Sequence, residues 1–271
     1  MADPDGPILV PIANPETTDR LVETAADLAV DAGETIHFVH VIEVPAQLPL
    51  SAGEDLRDEA SETTLSYARE LSLEVETDVS VRYARSVAGG IASAATDIGP
   101  SVLLMGWRGR PPRQTVVLGG HIDRVLRRSP SDMLIQRIRD PRGQVESVLV
   151  PVGTGPHTQF ATWTAGVLAR QCHAEVELLR VETDTSDDEL AGRDLLDTAR
   201  SDLGRVPAVA EEIVSDADPA EAIVARSTEH NVTVLGTSQK HAIQERFLGS
   251  VSNAVARDAS GTVILAQRRL E

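Results

Sequence analysis

Lysine and cysteine are each present only once in this chain of 271 residues, as Lys240 and Cys172. A Walker-type phosphate loop needs a lysine after its glycines, and no glycine-rich stretch here has that arrangement. A single cysteine excludes an internal disulfide, and no Cys or His pair has metal-ligand spacing. No apolar run approaches the roughly 20 residues that span a bilayer, and the N-terminus lacks the basic and apolar regions of a signal peptide. We therefore expect a cytoplasmic globular protein without metal ligands.

The chain has 25 lysine and arginine residues and 42 aspartate and glutamate residues, which gives a formal net charge of −17. This charge repels nucleic acid and anionic membrane surfaces at long range, so we expect neither as a partner. An acidic surface poor in lysine is typical of haloarchaeal or other halophile proteins, because molar salt screens charge within a few ångströms. Biased genome composition is the alternative explanation.

Two copies of one pattern follow each other along the chain. The run ILVP at residue 8 recurs as VLVP at residue 148, and Ile36–Val41 recurs at Val176–Val181, both at an offset of 140. From the fourth predicted strand onward the offset is 130. The ten extra residues of the first copy fit Pro45–Glu54, which has the composition of a loop.

Each copy alternates short apolar runs with amphipathic segments, in the order β-α-β-α-β-α-β-α-β. This order predicts an α/β fold of two tandem, five-stranded, parallel, doubly wound, Rossmann-like domains. The second helix is predicted over Asp55–Leu73, and Gly89-Gly90 weaken the prediction of the third at Ser86–Ile98. A polar linker near Asp140 divides the chain into domains 1–140 and 141–271.

Glycines follow the fourth strand of each copy. Val102–Met105 leads into Gly106 and Gly109, and Gly119-Gly120 precede a predicted helix start. Gly236 and Gly249-Ser250 repeat the interval of 13 residues between the strand end and the helix start. A glycine loop before a helix N-terminus suits a phosphate group, although an ordinary turn uses the same residues. In a doubly wound sheet this loop and Pro11–Asn14 would meet beyond the strand ends.

The spacing Gly106-x-x-Gly109-x₉-Gly119-Gly120 resembles the signature of the universal stress protein family, and the resemblance covers both copies. It implies a tandem protein of the adenine-nucleotide alpha-hydrolase-like fold group, with ATP or another adenine nucleotide as ligand and Mg²⁺ only as its companion. It also implies an internal pseudo-dimer and allows a homodimer. By position, the first site would use Pro11, Ile12, Val41, Met105, Gly106, Gly109, Gly119 and Gly120.

Both copies depart from the family pattern. The first-strand aspartate that helps to hold the nucleoside falls at Ala13 in the first copy and at Gly153 in the second. Asn14 lies next to Ala13 and offers an uncharged substitute. Gln239 replaces the second loop glycine of the second copy, which retains Gly236, Gly249 and Ser250. The first copy is therefore the preferred site, and loss of nucleotide binding from an inherited fold is the alternative.

Two classes of function remain open. The favoured one is a non-catalytic, nucleotide-binding stress-response or regulatory module, or a regulatory partner of a transporter or signalling protein without nucleotide. The other is a slow ATPase or a nucleotidyl-transfer enzyme of the same fold group. The missing Walker lysine and the lack of a recognisable general base disfavour an enzyme, so we assign no catalytic residues.

Overall fold

The structure is a computed structural model, and it describes residues 6–71, 73–108, 122, 124–125, 129–138, 143–183, 189–237 and 249–269. The chain divides into two compact units. Among the described residues, one unit holds those up to Gly106, those between 118 and 134, and Arg269. The other holds Trp107, Arg108 and those from Ile135 to Arg268.

The first copy has five strands, three described helices and one 3₁₀ helix. The strands are β1 (Ile8–Ile12), β2 (Ile36–Glu43), β3 (Thr77–Ala84), β4 (Val102–Trp107) and β5 (Asp132–Arg137). The helices are α1 (Pro15–Ala32), α2 (Glu59–Glu70) and α3 (Val87–Ile98), and the 3₁₀ helix is Leu50–Leu56. The strand order is β3-β2-β1-β4-β5.

The second copy repeats this arrangement. Its strands are β6 (Ser147–Pro151), β7 (Glu175–Glu182), β8 (Ala208–Ser215), β9 (Val232–Gly236) and β10 (Thr262–Gln267). Its helices are α4 (Pro156–Cys172), α5 (Glu189–Leu203), α6 (Pro219–Arg226) and α7 (Ser250–Asp258). The strand order is β8-β7-β6-β9-β10. The predicted α/β fold of two tandem, parallel, Rossmann-like halves is confirmed.

The strands are parallel, and most apolar residues of the other strands are buried, whereas no residue of β3 or β8 is fully buried. Side-chain caps fix several helix starts. Asn14, Asp58, Ser86 and Asp218 each accept a hydrogen bond from a backbone N–H in the first turn of the helix that follows. The second helix therefore begins at Glu59 rather than at Asp55, because Asp58 caps it after the 3₁₀ helix.

A helix that crosses a bilayer needs roughly 20 consecutive, mainly apolar residues. Within the described ranges, none of the helices is both long and apolar enough to do so.

Candidate functional site

The two central strands of each copy separate toward their carboxyl ends. β1 pairs with β4 through Ile8 with Val102 and Leu9 with Leu103, although both strands continue for three or more residues. By contrast, β1 pairs with β2 as far as Ile12. In the second copy, β6 pairs with β9 only through Val148 and Leu149. Each separation lies at the point where the strand order reverses, which is where doubly wound sheets bind ligands.

Six predicted site residues of the first copy flank this opening. Ala13 is exposed, Ile12 and Met105 are buried, and Pro11, Asn14 and Gly106 are partly exposed. The opening is therefore bordered mainly by backbone and small side chains. Gly109, Gly119 and Gly120 of the predicted loop lie outside the described residues.

Asn14 is used by the helix that it precedes. Its Oδ1 accepts hydrogen bonds from the backbone N–H and the hydroxyl of Thr17, both at 2.9 Å. The backbone carbonyl oxygen of Asn14 accepts a further hydrogen bond from the Thr18 hydroxyl at 3.0 Å. The amide oxygen that the sequence offered in place of the family carboxylate is thus engaged in capping α1.

A chain of hydrogen bonds that sequence reasoning missed supports the end of β1. Nδ1 of the buried His40 lies 3.0 Å from the Ile12 carbonyl oxygen, and because a carbonyl only accepts, Nδ1 is the donor. Nε2 of His40 lies 3.3 Å from the Ser61 hydroxyl. That hydroxyl donates to Asp58 Oδ1 at 2.7 Å. The sequence signal that could have indicated it is Asp58, because aspartate is a preferred N-cap residue.

The carboxylate at the far end of this chain is stabilised in its charged form. Asp58 accepts hydrogen bonds from the hydroxyl and the backbone N–H of Ser61, and these lower the pKa of Asp58. The nearby His40 acts in the same direction. The chain of contacts through His40 and Ser61 thus connects the exposed carboxylate of Asp58 to the backbone of Ile12, beside the candidate site.

Val41 faces α3 rather than the opening. A Cβ atom placed on Gly90 of α3 would lie 2.5 Å from Cγ1 of Val41, so this side chain packs directly on the helix backbone. The side chain of Val41 thus belongs to the packing between β2 and α3. Its neighbour His40 has partners on β1 and α2, so successive residues of β2 serve opposite faces of the sheet.

In the second copy, the start of α4 lies against the end of β9, where the corresponding opening begins. A Cβ atom on Gly236 would lie 2.6 Å from the carbonyl carbon of His157 and from the backbone nitrogen of Thr158. The start of α4 therefore packs on the backbone of Gly236. The Gly236 carbonyl accepts a hydrogen bond from Ser252 at 3.1 Å, and His157 Nδ1 accepts one from the backbone N–H of Arg268 at 3.0 Å.

The other predicted residues of the second copy mark a helix start. Gly249 is the N-cap residue of α7, and Ser250 is the exposed first residue of that helix. Gly249 makes no side-chain cap, and its carbonyl accepts from the backbone N–H of Asn253 at 3.0 Å. The backbone N–H groups at the start of α7 suit an anion. At the end of β9, however, the backbone of Gly236 is already covered by α4.

A separate cluster of charges lies on β7, β8 and α6. The Arg226 guanidinium donates to Glu177 at 2.7 Å and to Glu212 at 2.6 Å, and it lies 3.1 Å from Glu229. The hydrogen bond to Glu177 raises the pKa of Arg226. His230 Nε2 is 3.2 Å from the same carboxyl group. Arg226 is shared by three glutamates and offsets one of their three negative charges, so the cluster is an ion-pair network with an excess of acid.

A protein-bound metal ion needs several donor side chains at one place. Among the residues that the structure describes, no three His, Cys, Asp or Glu side chains are grouped so that they could hold a metal ion.

Comparisons with known proteins agree with this architecture. A universal stress protein from Archaeoglobus fulgidus DSM 4304 has 21% identity to this chain and a TM-score of 0.74, and the match covers 97% of this chain and 96% of that one. A putative universal stress protein of Pseudomonas aeruginosa UCBPP-PA14 has 16% identity and a TM-score of 0.58, covering 96% and 91%. The cytoplasmic domain of a prokaryotic cation chloride cotransporter has 11% identity and a TM-score of 0.66, covering 97% and 95%. No curated protein matches the chain.

At these identities the solved structures show the fold alone. The sequence model of the Universal stress protein family, however, matches the chain twice, at residues 6–137 and at residues 144–267. These two matches cover nearly the whole chain and coincide with the two copies of the strand and helix pattern. The chain therefore belongs to the universal stress protein family, in its tandem form.

Proposed function

We propose that this protein is a non-catalytic regulatory module that binds an adenine nucleotide, ATP in the first instance, in its first domain, residues 1–140. The observation that carries the proposal is the separation of β1 from β4 beyond Leu9 and Leu103. The strand that borders the opening, β4, runs directly into the glycine loop of the family signature. Mg²⁺ would arrive with the nucleotide, since its phosphates bind that ion.

The residues at the first opening fit a nucleotide held chiefly through backbone groups. The exposed Ala13 offers no side-chain acceptor, and the Asn14 amide oxygen already accepts two hydrogen bonds from Thr17. The ribose would thus lack a charged partner, and the phosphates would depend on the glycine loop and on the positive end of the following helix. We expect weak binding for this reason.

The second domain, residues 141–271, is the less favourable site. The backbone of Gly236 is covered by the start of α4, and its carbonyl oxygen is bound by Ser252. A phosphate would have to displace both contacts to approach this backbone. Gln239 adds a long side chain where the family loop has glycine.

The proposal is tested by titrating ATP with Mg²⁺ into the full chain by calorimetry, using wild type, Ala13→Asp and Ala13→Asn. A charge-assisted hydrogen bond contributes roughly 1.5–3 kcal/mol, so Ala13→Asp should lower Kd about ten- to hundred-fold. The Asn variant has nearly the same shape without the charge and should gain much less. Position 13 is exposed, so the new side chain needs no repacking.

Two further variants locate the site. Gly109→Gln should abolish the measured binding, because it gives the first copy the side chain found at Gln239. Gly153→Asp, which places the family carboxylate in the second copy, should leave affinity unchanged. Equal gains from Ala13→Asp and Gly153→Asp would contradict a single preferred site, and absence of heat with every variant would contradict nucleotide binding. Phosphate release that is lost in Gly109→Gln would show an enzyme instead.

A further inference from the structure

Exposed leucines are concentrated in the connection between β2 and α2, residues 44–58, which we call the 44–58 segment. Leu48, Leu50 and Leu56 expose 39%, 46% and 37% of their surface. Of the large apolar side chains in the described ranges, the only other one with comparable exposure is Val30 on α1, at 37%. Single exposed apolar residues are ordinary, but three within nine residues mark a surface that is suited to contact.

The 44–58 segment is anchored to β3 and to the residue that follows it. The Arg85 guanidinium donates to the carbonyl oxygens of Val44 and Pro45, and the backbone N–H of Val44 donates to Ala84 at 2.8 Å. The buried Gly53 lies against the ring of Tyr83, where a Cβ atom would overlap the ring. The leucines therefore remain exposed on an ordered backbone, which lowers the conformational entropy lost on binding.

The fold itself does not require this segment. Fifteen residues join β2 to α2 in the first copy, whereas six join β7 to α5 at the same place in the second. The second copy completes the same strand order with the shorter connection. The longer connection carries all three exposed leucines.

Carboxylates surround the leucines in the sequence. Glu43, Glu54, Asp55, Asp58 and Glu59 are all exposed. The one basic residue of the 44–58 segment, Arg57, lies 2.8 Å from Glu62 and is neutralised by it. The segment thus combines apolar side chains with a strongly negative rim.

We propose that the 44–58 segment is a docking surface for a basic, amphipathic helical segment of a partner protein. Apolar side chains of that helix would cover the leucines, and its lysines or arginines would face the carboxylates. A second copy of this chain is disfavoured because it would bring two acidic rims together. An anionic membrane is disfavoured by the same repulsion. The proposal is independent of nucleotide binding.

The test uses the full chain and a synthetic 18-residue amphipathic helix of leucine and lysine, with a second peptide in which serine replaces leucine. Binding is measured by calorimetry in 0.15 M salt and mapped by amide hydrogen exchange. The leucine–lysine peptide should protect residues 44–58. Changing Leu48, Leu50 and Leu56 together to Ser should raise the Kd of the leucine–lysine peptide at least ten-fold. The serine–lysine peptide should bind wild type equally weakly, because it has no apolar side chains to cover the leucines.

The control variant is Val30→Ser, which removes an equally exposed apolar side chain elsewhere and should leave Kd unchanged. Glu54→Gln with Asp55→Asn should reduce the salt dependence of binding while the leucines remain.

Protection mapped outside the 44–58 segment, or equal binding by wild type and the leucine variant, would overturn the proposal. A wild-type dimer in sedimentation that the leucine variant makes monomeric would also overturn it, in favour of self-association.

Discussion

His40 is the residue through which the candidate site depends on a distant helix. Its two ring nitrogens connect the Ile12 carbonyl to Ser61, and Ser61 in turn contacts Asp58. The position of β1 at Ile12 is thus tied to the first turn of α2.

We expect His40→Leu to destabilise the protein by about 1–3 kcal/mol, because the buried carbonyl of Ile12 loses its donor. His40→Asn should recover part of this loss, since the Asn amide nitrogen occupies nearly the position of His Nδ1. Urea unfolding of the three proteins measures the difference. Equal destabilisation by Leu and Asn would show that the imidazole acts by packing rather than through the hydrogen bond.

His37, on the same strand, predicts a dependence of stability on pH. Burial lowers the pKa of His37 below the ordinary value of 6.5, with a smaller contribution from Arg82 and an opposing one from Asp78. A lowered pKa means that the folded state favours the neutral ring. Its contribution to stability is therefore complete above pH 6.5 and is lost as the pH falls through the lowered pKa.

The measurement compares the free energy of unfolding of wild type and His37→Gln from pH 5 to pH 8. Glutamine keeps a polar group near Ser80, whose hydroxyl lies 2.7 Å from His37 Nε2, but it does not titrate. The difference between the proteins should be constant above pH 7 and should shift against wild type below pH 6.5. A constant difference over the whole range would show that His37 has no part in the acid sensitivity.

At the scale of helices and strands, the start of α4 packs closely on β9 in the second copy. Gly236→Ala should destabilise the protein by about 1–3 kcal/mol, because the new Cβ meets backbone atoms of His157 and Thr158, which cannot move without shifting α4. Gly153→Ala is the matched control. Its Cβ would meet only the Thr158 hydroxyl, at 3.3 Å, and a side chain can rotate away.

Both alanine variants are compared with wild type by urea unfolding. The loss for Gly236→Ala should exceed that for Gly153→Ala by at least about 1 kcal/mol, on the scale of overpacked core sites. If the two losses are equal, the start of α4 is free to move. A phosphate could then reach the backbone of Gly236, and both domains would be expected to bind nucleotide.

The strands and their sequence along the chain were predictable because their signal is local. Buried parallel strands are short apolar runs, and the repeat at a fixed offset identified each one twice. Helix boundaries were less certain. The second helix was predicted from Asp55, since the sequence does not show which of several acids is the cap. Gly89-Gly90 weakened the prediction of α3, which does form, and the close packing of Gly90 on Val41 explains why a residue without a side chain stands there.

The candidate site was predictable in position but not in chemistry. Strand ends and the reversal of strand order placed Pro11–Asn14 opposite Gly106. The engagement of Asn14 as a cap, the support of Ile12 by His40 and the covering of Gly236 by α4 depend on residues distant in sequence or on backbone geometry. No single-sequence pattern contains that information. The roles of Gly109, Gly119 and Gly120 stay predictions.

For the whole molecule, the dominant property is its charge of −17. The ion pairs at the surface are local, such as Arg20 with Glu16 at 2.9 Å and Arg200 with Glu211 at 2.7 Å. Exposed pairs of this kind contribute about 0–1 kcal/mol each and weaken as salt rises. Repulsion among the excess carboxylates acts over the entire surface and opposes the compact state. Added salt therefore weakens the ion pairs, which stabilise the protein slightly, and also weakens the repulsion among carboxylates, which destabilises it more.

We accordingly expect the melting temperature to rise when KCl is increased from 10 mM to 1 M. Screening reduces the range of repulsion from about 30 Å to about 3 Å over this interval, so most of the rise should occur below about 0.3 M. Choline chloride at equal ionic strength is the control, because general screening should act alike for both cations. A melting temperature that is higher at low salt would contradict net repulsion and the halophile interpretation of the composition. A rise that stays linear up to 1 M would instead indicate exclusion of salt from the protein surface, since electrostatic screening is nearly complete well below that concentration.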